Sequence, residues 1–243
     1  MTSWAPAPLR RLALTLVALV AVVLPSLVTS WVLAPPAGDV QQRVRDRTAS
    51  LGVVLLGEDE VPAVLAQAVV ATEDERFYTH HGIDSIGLGR ALLYDASNFC
   101  LCQGGSTITQ QLAKDVYLGG SDRGYNKLDD LVLALKIEQV IDKRQIMADY
   151  LSVIPTGLNR YGVAAAACVY FHAPLGSLTL GQYALLAGVT QAPSLYDPTV
   201  DSEAALIRRS HVLSAMLADK MISKDQASVA NAEPALAAQG PGC

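Results

Sequence analysis

The chain has 243 residues, of which 51% are hydrophobic and 17% are charged. This composition excludes an intrinsically disordered chain and leaves room for one globular domain and an anchoring segment. The formal net charge of −5, with 18 lysines and arginines scattered along the chain, argues against a nucleic-acid partner, because binding to a phosphate backbone depends on clustered cations.

The first predicted element is a transmembrane helix at residues 12–33, a stretch of about 22 residues without a charge. Arg10 and Arg11 precede it, and Asp39 follows it. Because cationic residues favour the cytoplasmic side, residues 1–11 are expected in the cytoplasm and everything after the span outside the membrane. A cleaved signal peptide is the alternative, but its apolar core is usually only about 7–15 residues long.

A Pro-containing and charged connector at residues 34–50 is expected to hold the following domain, residues 51–230, close to the lipid. Most of this domain is predicted to be helical, and strand signals are sparse. Pro62 is expected in the first turn of a helix that is apolar on nearly every side and therefore buried. Further helices are predicted at KLDDLVLALKIEQVI, KRQIMADYLSVI, VAAAACVYF, TLGQYALLAGV and SEAALIRRSHVLSAMLAD. Residues 231–243 have the composition of a frayed tail or a linker.

The four cysteines, Cys100, Cys102, Cys168 and Cys243, would lie in an oxidising compartment, where a disulfide is permitted but not required. The CLC spacing is too tight for the CxxC pattern of metal and redox sites, and no second pair with a histidine stands near it. No metal site is therefore expected from the cysteines. Small buried or loop thiols, with or without one bridge, are favoured.

The densest polar cluster is ATEDERFYTHHGID at residues 71–84, where Glu73 and Asp74 end an otherwise apolar helix. A carboxylate in apolar surroundings has a raised pKa, which suits a proton-transferring group. The alternative is a helix end that frays into solvent. Acids at a helix C-terminus oppose the macrodipole, but the cluster taken alone does not decide between the two.

The second cluster is GGSTITQQLAKD at residues 104–115. TITQ has the capping-box pattern, so a helix is expected to start near Thr107, just after two glycines. Free backbone N–H groups and the positive dipole end at this start would form an anion site. Thr107, Gln111 and Lys114 would share one face of the helix and hold a pyrophosphate. An ordinary capped helix with a solvated polar face is the alternative.

The third cluster, NKLDDLVLALKIEQ, places Lys127, Asp130, Ala134 and Glu138 on roughly one helical stripe. Such a stripe is also typical of an amphipathic surface helix with i, i+4 pairs. By itself the third cluster therefore proves little.

Together and in this order, the three clusters resemble signature motifs of the peptidoglycan glycosyltransferases, glycosyltransferase family 51, which occur as monofunctional enzymes and as the first domain of class A penicillin-binding proteins. EDERFYTHHG resembles EDxxFxxHxG, and GGSTITQQLAKD resembles GGSTxTQQxxKN. NKLDDLVLALKIE, KRQIMADYLS and RRSHVL are similar to RKxxExxxAxxxE, KxxILExYLN and RxxxVL. The likeness covers about residues 50–230.

The resemblance implies a mainly α, lysozyme-like fold with two lobes and the active site between them, preceded by one transmembrane helix. The apolar segment near residues 83–101 would belong to the smaller lobe, which dips into the membrane. The implied partners are lipid II, the growing polyprenyl-pyrophosphate-linked glycan, membrane lipid, and penicillin-binding transpeptidases or other cell-wall synthesis proteins. No cofactor is fixed by the resemblance, although a divalent cation, Mg²⁺ or Mn²⁺, would assist departure of the pyrophosphate.

The resemblance also implies roles for individual residues. Glu73 would be the catalytic base on the acceptor hydroxyl, and Asp130 stands where the family has its second important glutamate. Lys114, Lys127 and the helix start at Thr107 would offset the charge of the leaving pyrophosphate. The expected substrate-binding residues are Asp74, Phe77, His80, Ser106, Thr107, Gln110, Gln111, Lys114, Lys127, Glu138, Gln191 and Arg208.

Several residues depart from the family motifs: Asp115 and Ser152 in place of Asn, Asp130 and Ala148 in place of Glu, and Asn126 in place of Arg. The arginine helps to hold pyrophosphate in the family, whereas an asparagine cannot supply a bidentate cationic fork; Arg123, slightly upstream, offers a substitute. A catalytically weakened lipid II-binding or scaffolding paralogue is therefore the alternative to an active polymerase. A glycan-cleaving muramidase of related fold would have little use for a pyrophosphate site.

Overall fold

Helices make up most of the structure, as the sequence predicted. The computed structural model describes residues 7–99, 104–117, 127–157, 159–237 and 242–243. The helices are α1 Ala7–Leu33, α2 Val40–Leu51, α3 Ala63–Glu73, α4 Ser85–Asn98, α5 Ile108–Tyr117, α6 Lys127–Ile137, α7 Lys143–Val153, α8 Val163–Phe171, α9 Leu180–Val189, α10 Pro193–Tyr196, α11 Ser202–Ala218 and α12 Lys224–Asn231. Strands β1 Pro155–Gly157 and β2 Arg160–Tyr161 form a small antiparallel hairpin between α7 and α8.

Several helix starts are set by side-chain caps. Thr179 and Ser223 begin α9 and α12 with complete capping boxes, in which a glutamine three positions on reaches back to the cap. The Asp142 and Asp201 carboxylates accept hydrogen bonds from the first free amides of α7 and α11. The helices predicted over α7, α9 and α11 are confirmed, whereas α2, α4, α10 and α12 were not predicted as helices.

The core of the domain is centred on α3, α9 and α11, which pack against one another. From α3, Leu65, Ala68 and Val69 are fully buried, as expected for a helix that is apolar on nearly every side. Gly188 lets α9 approach α11 closely, because a Cβ there would lie 2.9 Å from Cγ of Arg208. This packing holds the end of α3 against the middle of α11.

A second group of helices surrounds α5, which packs against α6 and α7. Gly82 joins the loop after α3 to this group, at φ +84°, with its Cα so close to the backbone of Ala134 that a Cβ would lie 2.9 Å from the carbonyl carbon. Thr107 donates a hydrogen bond from its hydroxyl to the Gly82 carbonyl at 2.8 Å. The loop after α3, the start of α5 and the middle of α6 are therefore held together.

Helix α1 contains Ala13–Leu33, a stretch long and apolar enough to cross a membrane by length and composition. Its C-terminal end is attached to the domain by Lys136 of α6. The ammonium group donates hydrogen bonds to the carbonyls of Trp31 at 2.8 Å and Ala34 at 2.7 Å, and it lies 5.2 Å from the centre of the Trp31 ring. A lysine at a helix C-terminus satisfies free carbonyls and complements the helix dipole.

The connector and the tail are more ordered than their composition indicates. Much of the connector forms α2, which buries Val40, Val44 and Thr48 in the core. The tail is attached to α8 by the disulfide Cys168–Cys243, with Cα atoms 5.8 Å apart, and by the Gly242 amide, which donates to the His172 carbonyl. The described residues of the tail are therefore not frayed, and the pairing of Cys168 with Cys243 was not predicted. Cys100 and Cys102 lie outside them.

Helix α4 presents an apolar surface to solvent. Ile86 is 67% exposed, Leu92 61% and Leu93 75%, and Phe99 just beyond the helix is almost completely exposed. These residues belong to the segment that was expected to form a smaller, membrane-facing lobe.

Candidate active site

Glu73 is the last residue of α3, and its carboxylate lies at the wall of a cavity. Its Oε2 atom accepts a hydrogen bond from Nε2 of Gln111 at 3.2 Å, and Oε1 lies 3.4 Å from Nη2 of Arg208. The side chains of Glu73 and Arg208 are each only 10% exposed. An acid at the end of this helix is therefore held by two donors from distant parts of the chain, and it does not fray into solvent.

The pKa of Glu73 is raised above its ordinary value, mainly because burial disfavours the charged carboxylate. The Gln111 amide and the positive charge of Arg208 oppose this effect, and the neighbouring Asp74 adds to it. A carboxyl group with these surroundings is a stronger proton acceptor than an exposed glutamate, as general-base catalysis requires.

Asp74 follows Glu73 and points into the protein. Its carboxylate accepts a hydrogen bond from the Ile108 amide, the first residue of α5, at 3.1 Å. Nε2 of His80 lies 3.0 Å from both of its oxygens. Asp74 is thus a carboxylate cap on α5 supplied from another part of the chain, a favourable place for a negative charge.

The start of α5 is consequently different from the expected anion site. The Ile108 amide donates to the Asp74 carboxylate, and the Gln110 amide donates to the Thr107 hydroxyl oxygen at 3.2 Å. The Thr107 amide in turn donates to Oε1 of Gln110 at 3.4 Å, which confirms the capping box. The expectation of free N–H groups is wrong for these three amides, because the protein's own side chains already satisfy them.

Helix α6 brings Lys127 and Asp130 to the same cavity. The Lys127 ammonium, on a side chain that is 58% exposed, donates to Oγ of Ser106 at 2.7 Å and to Oδ2 of Asp130 at 3.1 Å. The Asp130 side chain is only 5% exposed, and among the described residues its Oδ1 has no hydrogen-bond partner. A buried carboxylate oxygen without a partner is costly for stability alone, and it favours a role in binding.

The cavity has a volume of about 820 Å³ and a predominantly polar wall. Of the expected site residues, its wall contains Glu73, Asp74, Ser106, Gln110, Gln111, Lys114, Lys127, Asp130 and Gln191. The wall also contains residues that were not among the expected site residues: Ala71, Thr72, Glu75, Arg90 and Gly104. Of these, only Arg90 lies outside the two polar clusters of the sequence. Arg90 of α4 donates to Glu75 at 3.0 Å. Arg90 lies in the middle of α4, where a single cation gave no local signal of this contact.

Three residues expected to contact substrate lie behind the wall instead. Phe77 is fully buried, His80 is turned towards Asp74, and Glu138 accepts hydrogen bonds from Lys143 at 2.7 Å and from Oγ1 of Thr109 at 2.6 Å. The Lys143 ammonium also lies 4.4 Å from the centre of the Phe77 ring. In the structure they form a buried layer that supports α5, and their contact with the substrate stays a prediction.

Thr107 and Arg208 are also held by contacts within the protein. The Thr107 hydroxyl is occupied by Gly82 and Gln110, so it does not share a substrate-facing surface with Gln111 and Lys114. Arg208 is not part of the cavity wall; it contacts Glu73 and donates from Nε to the Gly188 carbonyl at 3.3 Å. Burial lowers its pKa, and the carboxylate of Glu73 opposes that shift. Both residues position the groups that face the cavity.

The departures from the family motifs lie in different surroundings. Asn126 and Arg123 lie outside the described residues. Ala148 and Ser152 are buried in α7, where the Ser152 hydroxyl accepts a hydrogen bond from the Leu56 amide at 2.9 Å. Asp115 is buried in α5, and burial raises its pKa to about 7. Among the departures that lie in the described part of the chain, only Asp130 faces the cavity.

A model of the transglycosylase family matches residues 43–217, which include every described residue of the cavity wall. The chain belongs to the transglycosylase family. This confirms the family that the motifs indicated, and it places part of α2 inside the family domain.

Two curated relatives of this transglycosylase chain are both called penicillin-binding protein 1A. The protein of Vibrio cholerae serotype O1 is 43% identical over 73% of the chain and 22% of its own length, and that of Haemophilus influenzae is 45% identical over 73% of the chain and 21% of its own length. A crystal structure of the Haemophilus influenzae protein is similar with 26% identity and a TM-score of 0.44, covering 78% of this chain and 19% of that one. The chain thus spans about a fifth of the length of these relatives.

Proposed function

We propose that this transglycosylase is a peptidoglycan glycosyltransferase, which polymerises lipid II into glycan strands with release of polyprenyl pyrophosphate. The observation that carries the proposal is the cavity itself. It combines a buried carboxylate with a raised pKa, Glu73, with the cationic side chains of Lys114, Lys127 and Arg90. A proton acceptor and several cations in one polar cavity fit a reaction in which an alcohol attacks and a pyrophosphate leaves.

In the proposed reaction, the 4-hydroxyl of the incoming lipid II attacks the anomeric carbon of the growing chain. The new bond joins the acceptor O4 to this carbon as the bond to the pyrophosphate oxygen breaks, so the configuration inverts to a β-1,4 link. The hydroxyl proton passes to the carboxylate of Glu73, and the pyrophosphate departs with the electron pair. Gln111 and Arg208 keep Glu73 oriented while it is ionised.

Lys127 is the best placed group for the leaving pyrophosphate. Its ammonium group is more than half exposed, and the hydrogen bonds to Ser106 and Asp130 fix its direction. A preorganised cation at the position where negative charge develops contributes strongly to catalysis, because it needs no reorganisation during the reaction. Lys114 adds a second positive charge to the same wall.

A divalent cation fits this site as a companion of the pyrophosphate. Among the described residues, no group of three His, Cys, Asp or Glu side chains is placed to hold a metal ion without help from a substrate. Mg²⁺ commonly binds through one or two carboxylates together with substrate phosphates, and Oδ1 of Asp130 is a carboxylate oxygen without a partner in the described structure. Asp130 would hold such an ion, which would offset phosphate charge.

The membrane placement and the partners are part of the same proposal. Helix α1 would cross the bacterial cell membrane with its N-terminus in the cytoplasm, which leaves the domain on the outer face. The exposed apolar residues of α4 would then contact lipid. The names of the relatives make a penicillin-binding transpeptidase a suitable partner, since glycan strands are the material that transpeptidases cross-link.

The test is incubation of the purified full chain, in detergent, with fluorescent lipid II, followed by separation of the products by size. Wild-type protein is expected to give long glycan strands, and Glu73→Gln, which keeps the size and hydrogen-bonding capacity of the side chain, is expected to give none. Digestion of the product with a muramidase checks the linkage. Tight binding of lipid II without any product from the wild type would contradict the proposal and support the weakened, lipid II-binding paralogue.

A further inference from the structure

We propose that Tyr150 is a positioning residue for Glu73, acting through the side-chain amide of Gln111. The proposal rests on the proposed function of Glu73 as a base. Tyr150 lies on α7 and does not touch the cavity, but its hydroxyl donates a hydrogen bond to Oε1 of Gln111 at 3.2 Å. Nε2 of the same amide donates to Oε2 of Glu73 at 3.2 Å. The three side chains therefore form a continuous chain of hydrogen bonds from the core to the cavity.

The direction of this chain follows from the chemistry of its ends. An ionised carboxylate only accepts hydrogen bonds, so the NH₂ end of the Gln111 amide must face Glu73. The carbonyl end then faces Tyr150, which has to donate. Tyr150 is fully buried, and burial raises its pKa well above the ordinary value, so its hydroxyl keeps its proton.

Without this donor, only the hydrogen bond to Glu73 still fixes the orientation of the Gln111 amide, so a flipped orientation becomes easier to reach. In one orientation it donates to Glu73; in the other its oxygen faces the carboxylate and repels it. Because the Gln111 hydrogen bond lowers the pKa of Glu73 against the effect of burial, loss of a fixed orientation raises that pKa further. Tyr150 thereby keeps the base ionised at a lower pH than its burial would otherwise allow.

Other charged groups also act on the hydrogen-bonded side chains of Tyr150, Gln111 and Glu73. Arg208 of α11 and Asp74 face Glu73 directly, and Asp115 of α5 acts electrostatically on Tyr150. The remaining charges on the cavity wall are Glu75, Arg90, Lys114, Lys127 and Asp130. Tyr150→Phe leaves all of these groups in place, so a change in the titration of Glu73 is attributable to the lost hydroxyl.

The experiment compares Tyr150→Phe with Tyr183→Phe in the full chain. Tyr183 is an equally suitable buried phenol, whose hydroxyl donates to the Leu175 carbonyl at 2.8 Å, far along the chain from Glu73. In Tyr150→Phe, the acidic limb of the pH profile of kcat/KM with lipid II is expected to shift to higher pH by roughly one unit. At pH values below the limb, this shift lowers kcat/KM about tenfold. Tyr183→Phe should keep the wild-type limb. The profile is repeated in an Asp115→Asn background, where the same displacement is expected.

A double-mutant cycle tests whether Tyr150 acts through the amide. If it does, Tyr150→Phe adds nothing to Gln111→Ala, because the intermediate group is already gone. Fully additive losses of kcat/KM, or an unchanged acidic limb of the pH profile in Tyr150→Phe, would overturn the proposal.

A direct titration separates this proposal from the proposed function. Carbon-13 NMR of labelled glutamate side chains, with Glu73→Gln to assign the signal, reports the ionisation of Glu73 without any turnover. Wild-type protein that makes no glycan would refute the proposed function, yet a higher midpoint for Glu73 in Tyr150→Phe would still support the role of Tyr150. An unchanged midpoint would refute that role even in an active enzyme.

Discussion

The carboxylate of Asp74 caps helix α5 by accepting the amide hydrogen of Ile108 at 3.1 Å, from a position 34 residues away in sequence. The residue next to the proposed base thus fixes the helix that carries Gln111. Two neighbouring acids have separate tasks: Glu73 faces the cavity, and Asp74 joins the end of one helix to the start of another.

Asp74→Ala is expected to lower both stability and activity. It removes the cap on Ile108 and the partner of His80, which should cost about 2 kcal/mol of unfolding free energy. Because α5 loses its fixed start, Gln111 moves relative to Glu73 and kcat falls. Denaturant unfolding and lipid II polymerisation are the measurements.

The matched control is Asp201→Ala, which removes an exposed cap from the Ala204 amide of α11. It should cost about 1 kcal/mol and leave kcat near the wild-type value. Equal losses of activity in the two variants would show that Asp74 has no special role.

Glu138 and Lys143 are expected to behave as a buried structural pair. Lys143→Met should destabilise the domain by about 3 kcal/mol, because it leaves the buried carboxylate without its cation. Glu138→Gln with Lys143→Met should restore part of that loss, since the uncompensated charge is then absent. The KM for lipid II should stay the same in Glu138→Gln; a large increase in KM at unchanged stability would return Glu138 to the substrate site.

Asp115 should make the stability of the domain depend on pH. Its pKa is raised from 3.8 to about 7 by burial, so the folded state holds its proton more tightly than the unfolded state. The stabilisation that Asp115 gives to the folded state is therefore complete below about pH 4 and is lost as the pH rises to about 7. Asp115→Asn should be more stable than wild type at pH 8, by roughly 4 kcal/mol, and the gain should shrink towards pH 4.

Denaturant unfolding at a series of pH values measures this gain. Asp225→Asn, which removes an exposed carboxylate from α12, is the control for the loss of one negative charge. A gain at Asp115 that does not vary between pH 4 and pH 8 would contradict the assigned cause.

Lys136→Met should loosen the attachment of α1 to the domain. The substitution keeps the apolar stem of the side chain but removes the group that bonds the Trp31 and Ala34 carbonyls. Spin labels on α1 and α7 should then show a broader distribution of distances in lipid nanodiscs. Lys224→Met on the exposed surface of α12 is the control. Equally narrow distance distributions in the wild type and both variants would show that Lys136 does not hold α1 to the domain.

Local patterns in the sequence predicted much of the fold. Apolar periodicity and the Thr107 capping box gave the positions of α3 and α5, because both depend on residues within one or two turns. Contacts between residues that are far apart in the sequence had no such local pattern. Nothing near Thr107 indicates that Asp74 occupies the start of α5, and nothing near Glu73 indicates Arg208, 135 residues later.

The same limit applies to the site residues that lie behind the cavity wall. A motif identifies Phe77, His80 and Glu138 as a group with Glu73, but it cannot tell whether a side chain faces the cavity or the layer behind it. That choice depends on which partners the folded chain brings near, such as Lys143 under Phe77 and beside Glu138.

Helix α6 has Lys127 at one end and Lys136 at the other, about 14 Å apart along its axis. Lys136 binds the end of α1, and Lys127 lines the cavity of the proposed reaction. If α1 lies in a bilayer as proposed, α6 holds the proposed reaction centre at a fixed distance from the end of the anchor. A substrate tethered to the same membrane would then need to search only in two dimensions to reach it.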